Sequence, residues 1–183
     1  MFSPHLLIVP VGAVISFPNA DPFLLNVFSL FDGKRFDLGL YEAGSTKEVT
    51  FSGEGVSYIF CNIHPEMSAV VVSLSTPFFS GDDVRGMFHV HGVPAGVYAM
   101  HVWVEGEEQT TLDGLTRTVD VVGQAVDLGE VRLAVVPRPM PHTNKYREVR
   151  SRRELTLLRA LALEKPGLLV GSHRLLSVGE GCC

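Results

Sequence analysis

Cys61, His64 and Met67 stand at C-x2-H-x2-M spacing in the segment Cys61-Asn-Ile-His64-Pro-Glu-Met67, directly after a run of strand-forming residues. One short loop therefore carries a thiol, an imidazole and a thioether. A soft thiolate and an imidazole with a weak axial thioether form the donor set of a blue-copper electron-transfer centre. A single tight turn would fix three of the four donors that such a centre needs. The same residue types also have an ordinary structural reading: a small buried hydrophobe, a surface histidine before proline and a core methionine.

The chain that must position this loop has 183 residues, 46% hydrophobic and 19% charged, which is far too apolar for a disordered polymer. Its net charge of −5 argues against a nucleic-acid partner. The charge is unevenly spread: seven Lys/Arg face 16 Asp/Glu up to Pro139, and eight face four from Met140 onward. Three cysteines, two of them Cys182 and Cys183 at the end of the sequence, cannot form a disulfide framework. The opening Met-Phe-Ser-Pro-His has no charged region leading into an apolar stretch, so no signal peptide is read there. The apolar runs are well short of about 18 residues, so no membrane span is expected.

Short runs rich in Val, Ile, Phe and Leu predict seven strands, at Leu6–Val9, Val14–Phe17, Leu25–Phe31, Phe36–Tyr41, Glu48–Phe51, Val56–Cys61 and Ala69–Leu74. Turn residues separate them, and Asp32-Gly33 is a hairpin signal. The expectation is a small β-sandwich or barrel over 1–76. Thr76–Asp83 reads as a linker. A second β module is expected over 84–136, with strands at Gly86–Val90, Val97–Val104, Val119–Val122 and Val126–Val136, and turn signals at Gly92–Gly96 and, within Thr110–Thr118, at Asp113-Gly114. Residues 137–183 form a basic tail. There Ser151-Arg-Arg-Glu154 has capping-box form and Leu155, Leu158 and Leu161/Ala162 fall at helical spacing, which predicts one short helix ending at Pro166-Gly167.

The cysteine loop, together with Phe17-Pro-Asn-Ala-Asp21, Asn26-Val-Phe-Ser29, Phe36-Asp-Leu-Gly-Leu-Tyr41 and Gly86 to Trp103, resembles the cupredoxins. The loop is similar in length to that of the amicyanin/plastocyanin-like members. The wider match, over about Phe2 to Val136, is similar to bacterial cupredoxin-like proteins labelled "methylamine utilization protein". The resemblance implies an all-β Greek-key β-sandwich holding type 1 copper, with Cys61 and His64 as strong ligands, Met67 as axial ligand and Asn26 hydrogen-bonded near the cysteine sulfur. It further implies electron transfer with a redox protein partner in the periplasm, rather than an enzyme. The chain begins inside the family's domain, so a truncated or mis-started N-terminus is expected.

In that family the second imidazole ligand lies directly before the Asn-Val-Phe-Ser segment, where this sequence has Leu25. Losing one strong ligand costs several kcal/mol, on the order of 10²–10⁴ in binding constant at about 1.4 kcal/mol per decade. Water or a nearby histidine such as His5 could supply a donor, although the His5 strand is not expected to reach the site. The alternative is a copper-free β-sandwich that serves as a binding or structural module.

Other histidines have weaker spacing. His89 and His91 share a face if Gly86–Val90 continues as a strand, and with His101 they could hold zinc or copper, or simply line a solvent face. Gly86 to Tyr98 resembles the strand–turn–strand of transthyretin-like or carboxypeptidase-regulatory-like modules, whose role is structural or adhesive. The chain has no nucleophile elbow, P-loop or dinucleotide fingerprint.

Overall fold

Runs of β-branched and aromatic residues pack well on a pleated surface, and the Gly, Pro, Asn and Asp between them end each run after a few residues. In the computed structural model, which describes residues 2–30, 33–64, 66–123, 125–133, 142–143, 149–150 and 159–165, the outcome is nearly all β. The chain divides into two units, Met1–Pro77 and Phe78–Cys183.

The first unit holds β1 (Leu6–Pro10), β2 (Val14–Pro18), β3 (Leu25–Ser29), β4 (Phe36–Tyr41), β5 (Thr46–Thr50), β6 (Gly55–Phe60) and β7 (Ser68–Leu74). Five of these form a sheet in the order β1-β7-β6-β3-β4, and β2 pairs with β5 in a second sheet. β1 runs parallel to β7, and the other pairings are antiparallel. After β4 the chain leaves the larger sheet for the β2–β5 pair and returns beside β3 as β6. Side chains from both sheets, among them Val9, Phe17, Val27, Val49, Ile59 and Val71, bury into one cluster. That shared core makes the unit a sandwich.

Two local features place the strands that flank the cysteine loop. Gly33, in the β3–β4 connection, has φ +70°, and a Cβ there would meet Ser57 Oγ at 2.5 Å and the Val56 carbonyl oxygen at 2.8 Å. Only glycine lets the turn lie this close against β6; Asp32, the other half of the hairpin signal, lies outside the described residues. On β4, Leu38 and Gly39 together oppose Val27, a bulge in which Gly39 takes φ +61°. Asp37 fixes it: its Oδ1 accepts the Gly39 N–H and the Asn26 side-chain amide, each at 2.8 Å.

The second unit holds β8 (Phe79–Gly81), β9 (Gly96–Val104), α1 (Gln109–Asp113), β10 (Arg117–Val121), β11 (His142–Thr143), β12 (Val149–Arg150) and β13 (Arg159–Glu164). Its four-stranded sheet runs β10-β9-β13-β8, and β11 pairs with β12. Alternate residues of β9 (Tyr98, Met100, Val102 and Val104) bury with Leu161 and Leu163 of β13.

Four expectations change here. The stretch read as a linker contains β8, which pairs with β13. The predicted helix is overturned over Arg159–Glu164, which is β13, a strand between β9 and β8; 151–158 lie outside the described residues. Helical spacing misled because Ala160, Leu161, Ala162 and Leu163 are all buried, and a strand covered on both faces loses its alternation. Gly86–Val90 is not a strand: the Gly86 N–H goes to the Asp83 carbonyl, the Met87 N–H to Asp83 Oδ1 and the His89 N–H to Ser80 Oγ, which uses donors that a ladder would need. Nor is 126–133 a strand. There Asp127 accepts the Gly129 N–H and the Arg117 guanidinium donates to the Leu128 carbonyl, which turns the chain.

Two predictions follow from these contacts. Leu161→Ala removes a side chain that is 2% exposed at the centre of the second core, and should cost about 2–5 kcal/mol in chemical denaturation. If 159–164 were instead a solvated helix, the cost would be under about 1 kcal/mol. Hydrogen bonds from Gly39 and Asn26 hold the Asp37 carboxyl below its ordinary value of 3.8. A depressed folded value stabilises the native state fully above the ordinary, unfolded value of 3.8, and the benefit is lost as pH falls from there through the folded value. Asp37→Asn should therefore lower stability at pH 7, with the gap from the native sequence closing toward pH 3; a gap constant with pH would contradict the role of the carboxylate.

Candidate metal centre

Phe60 at the end of β6 pairs with Ser68 at the start of β7, so residues 61–67 must reverse the chain between neighbouring strands. The turn is closed by the Met67 N–H donating to the His64 carbonyl at 2.8 Å. Cys61 and Met67, at 6% and 7% exposure, drop into the sandwich core, while the side chain of His64 keeps 35% of its surface in solvent. Cys61 Sγ lies 3.7 Å from His64 Nδ1. The loop thus brings the Cys61 and His64 side chains together, and Met67 is buried in the same core cluster as Cys61.

Leu25, the first residue of β3, is 3% exposed and belongs to the same core cluster as Cys61 and Met67. It pairs across the sheet with Tyr41. Burial, and secondarily the charge of Cys61, pushes the Tyr41 phenol up to about 12, so it stays protonated. Its hydroxyl donates to the Phe17 carbonyl at 3.2 Å.

Two buried asparagines hold the surrounding loops. Asn26 donates to Asp37 and accepts from the Asn62 amide at 2.7 Å, which ties β3 to the residue next to Cys61. Asn19, 2% exposed, donates to the carbonyls of Phe23 (2.8 Å) and Tyr41 (3.1 Å) and accepts the Asp21 N–H at 3.0 Å. This clamp presents Asp21 beside the loop: Asp21 Oδ2 stands 3.9 Å from His64 Nδ1. The Phe23 ring lies 6.4 Å from that of His64. Sequence reasoning singled out neither Asp21 nor Asn62 as a site residue. Asp21 sits in the stretch Phe17-Pro-Asn-Ala-Asp21, but nothing in its spacing from His64 marks the contact.

The donor chemistry fits a metal in part. Bonds of about 2.3 Å to sulfur and about 2.0 Å to nitrogen, meeting at roughly 120°, separate the two donors by about 3.7 Å. That is the Cys61–His64 distance, and Met67 lies buried on the same loop. Leu25 adds no donor. Among the described residues no three His, Cys, Asp or Glu side chains are already grouped to hold a metal ion. His5 Nδ1 is hydrogen-bonded to the Ser68 carbonyl at 3.0 Å.

Among the described residues, His89, His91 and His101 form no metal-binding group. His89 and His91 stack at 6.4 Å on an exposed loop rather than on a strand, and His101 stands between Thr116 at 3.3 Å and Glu164 at 3.8 Å. No helix among the described residues is long and apolar enough to cross a membrane.

No protein-family model and no curated protein matches this sequence. Among solved structures, the chain is similar to a purple cupredoxin from Nitrosopumilus maritimus at 30% identity and a TM-score of 0.36, over 39% of this chain and 80% of that one. A copper-containing nitrite reductase from Thermus scotoductus SA-01 matches at 22% identity and a TM-score of 0.38, over 40% of this chain and only 20% of the reductase. A reduced variant of amicyanin matches at 22% identity and a TM-score of 0.35, over 38% of this chain and 70% of amicyanin. The chain's structural neighbours are cupredoxins, matched over two-fifths of its length or less.

Proposed function

We propose that this chain is a cupredoxin-like copper-binding protein of electron-transfer type, with Cys61 and His64 as strong ligands, Met67 as the axial ligand and Asn26 as an outer partner. The observation that carries the reading is the 3.7 Å approach of Cys61 Sγ to His64 Nδ1 on a loop whose cysteine and methionine are anchored in the core. Copper bound there would carry one electron by alternating between Cu(II) and Cu(I).

The chain's own residues would make that exchange rapid by not moving. Cys61 loses its thiol proton on binding metal, and the packed core around it and Met67 holds both sulfurs in place whichever charge the site carries. The Asp37–Asn26–Asn62 chain of hydrogen bonds fixes the start of the loop from the side. His64 is the part-exposed ligand, flanked by exposed Phe23 and Ile63, which suits close approach of a redox protein partner. By the same resemblance to electron-transfer cupredoxins, the reading is of a carrier rather than an enzyme. By resemblance to the methylamine-utilization type, the protein would work in the periplasm. On the same resemblance the second unit would be a transthyretin- or carboxypeptidase-regulatory-like module with a structural or adhesive role.

The burial of Leu25 beside Cys61 and Met67 favours a second reading, a copper-free β-sandwich whose former metal position has become core. Adding Cu(II) to the purified chain separates the two. The first reading expects an intense thiolate-to-copper band in the visible spectrum, about one copper per chain by elemental analysis, and loss of the band in Cys61→Ser. Absence of both band and bound copper would establish the second. A band gained only on Leu25→His would then show a sound scaffold that lacks one ligand.

A further inference from the structure

We propose that the second unit binds an uncharged, largely apolar small molecule in a cleft over one face of its four-stranded sheet. The cleft has a volume of about 1290 Å³, above the roughly 300–1,000 Å³ of most small-ligand pockets. Its floor is apolar: Val102 of β9 and Leu161 of β13 pair across the sheet, so they share a face, and both line the cleft. Two further segments complete the lining. One contributes Phe88 and Val90, the other Val131 and Leu133, and these half-buried side chains pack against the second core.

Neither segment is a strand, and their local hydrogen bonds keep them apart from a ladder. Met87 and His89 give their N–H groups to Asp83 Oδ1 and Ser80 Oγ, Gly129 gives its own to Asp127 Oδ1, and the Leu128 carbonyl accepts from the Arg117 guanidinium. Groups engaged in this way are not available to pair the two segments with each other over the sheet. The chemistry of the lining selects the ligand. Among the described residues four charged side chains line the cleft, Arg85 and Arg132 against Asp127 and Glu130, and Arg132 Nη2 already pairs with Glu130 at 2.8 Å. Aside from the histidines these charges cancel, so a carboxylate or phosphate head has no unopposed cationic cluster to meet. His89 and His91, with near-parallel rings 6.4 Å apart, also line the cleft. An imidazole can donate a hydrogen bond to a carbonyl or accept one from a hydroxyl. A molecule with an apolar body and one such oxygen matches this lining.

Nile red, an uncharged dye that fluoresces strongly only in apolar surroundings, serves as the probe and is titrated into the full chain beside the anionic cis-parinaric acid. The expected result is saturable binding of about one Nile red per chain, tighter than that of the anion. At saturation, amide hydrogen exchange of the native chain should slow at 86–93 and 125–133 and stay unchanged in the first unit. Val90→Trp and Val131→Trp each put a larger ring into the cleft from a different segment, and should weaken dye binding about tenfold or more. Val84→Trp, at an exposed position outside the lining, should leave it within about threefold. The exchange measurement needs no variant, so it decides even where a tryptophan prevents folding. Non-saturable binding, equal binding in all three variants, or protection confined to the first unit would overturn the cleft as the site. Tighter binding of cis-parinaric acid, weakened by the same two cleft variants, would overturn the uncharged ligand.

Discussion

Because Phe60 and Ser68 are paired across β6 and β7, the residues between them must reverse direction at the end of the sandwich core. The rest of the candidate centre depends on that constraint. A loop this short cannot turn all its side chains outward, so Cys61 and Met67 take core positions and His64 is left at the rim. Burial sets the position of the two sulfurs. Their placement would persist whether or not copper is present, since the energy that holds them there comes from packing against Leu25, Ile59 and their neighbours in one cluster.

The polar residues around the loop are arranged to the same end. Asn19 and Asn26 are nearly inaccessible to water, and each makes more than one hydrogen bond to the surrounding loops. A buried amide left without partners would cost a few kcal/mol, so fully engaged amides specify one loop arrangement over its alternatives. Asn19 fixes the segment that carries Asp21, and Asn26 fixes the residue beside Cys61. Neither touches His64: Asn19 holds the backbone of the neighbouring segment, and Asn26 holds the side chain of Asn62.

Much of the first unit was legible in the sequence, because its strands are short, apolar and bounded by turn residues, and the Cys61–His64–Met67 spacing pointed to a shared loop before any geometry was known. The second unit was harder to read. Both faces of Ala160–Leu163 are covered, so the alternation that identifies a strand is missing and the leucine spacing imitates a helix. At Gly86–Val90 a strand-like composition is overridden by side chains that capture backbone donors, Asp83 that of Met87 and Ser80 that of His89. The approach of Asp21 to His64 had no sequence signal at all, being a tertiary contact between two loops set by a buried asparagine. Local composition reports which elements form. It does not report which loop ends meet.

X-ray absorption at the copper edge of the copper-loaded chain examines the metal's own neighbours and so tests the central claim most directly. A centre built on Cys61 and His64 predicts one short sulfur shell together with nitrogen and oxygen scatterers, including the imidazole outer-shell pattern. A shell of nitrogen and oxygen alone would mean that copper sits on surface histidines, and would contradict the account.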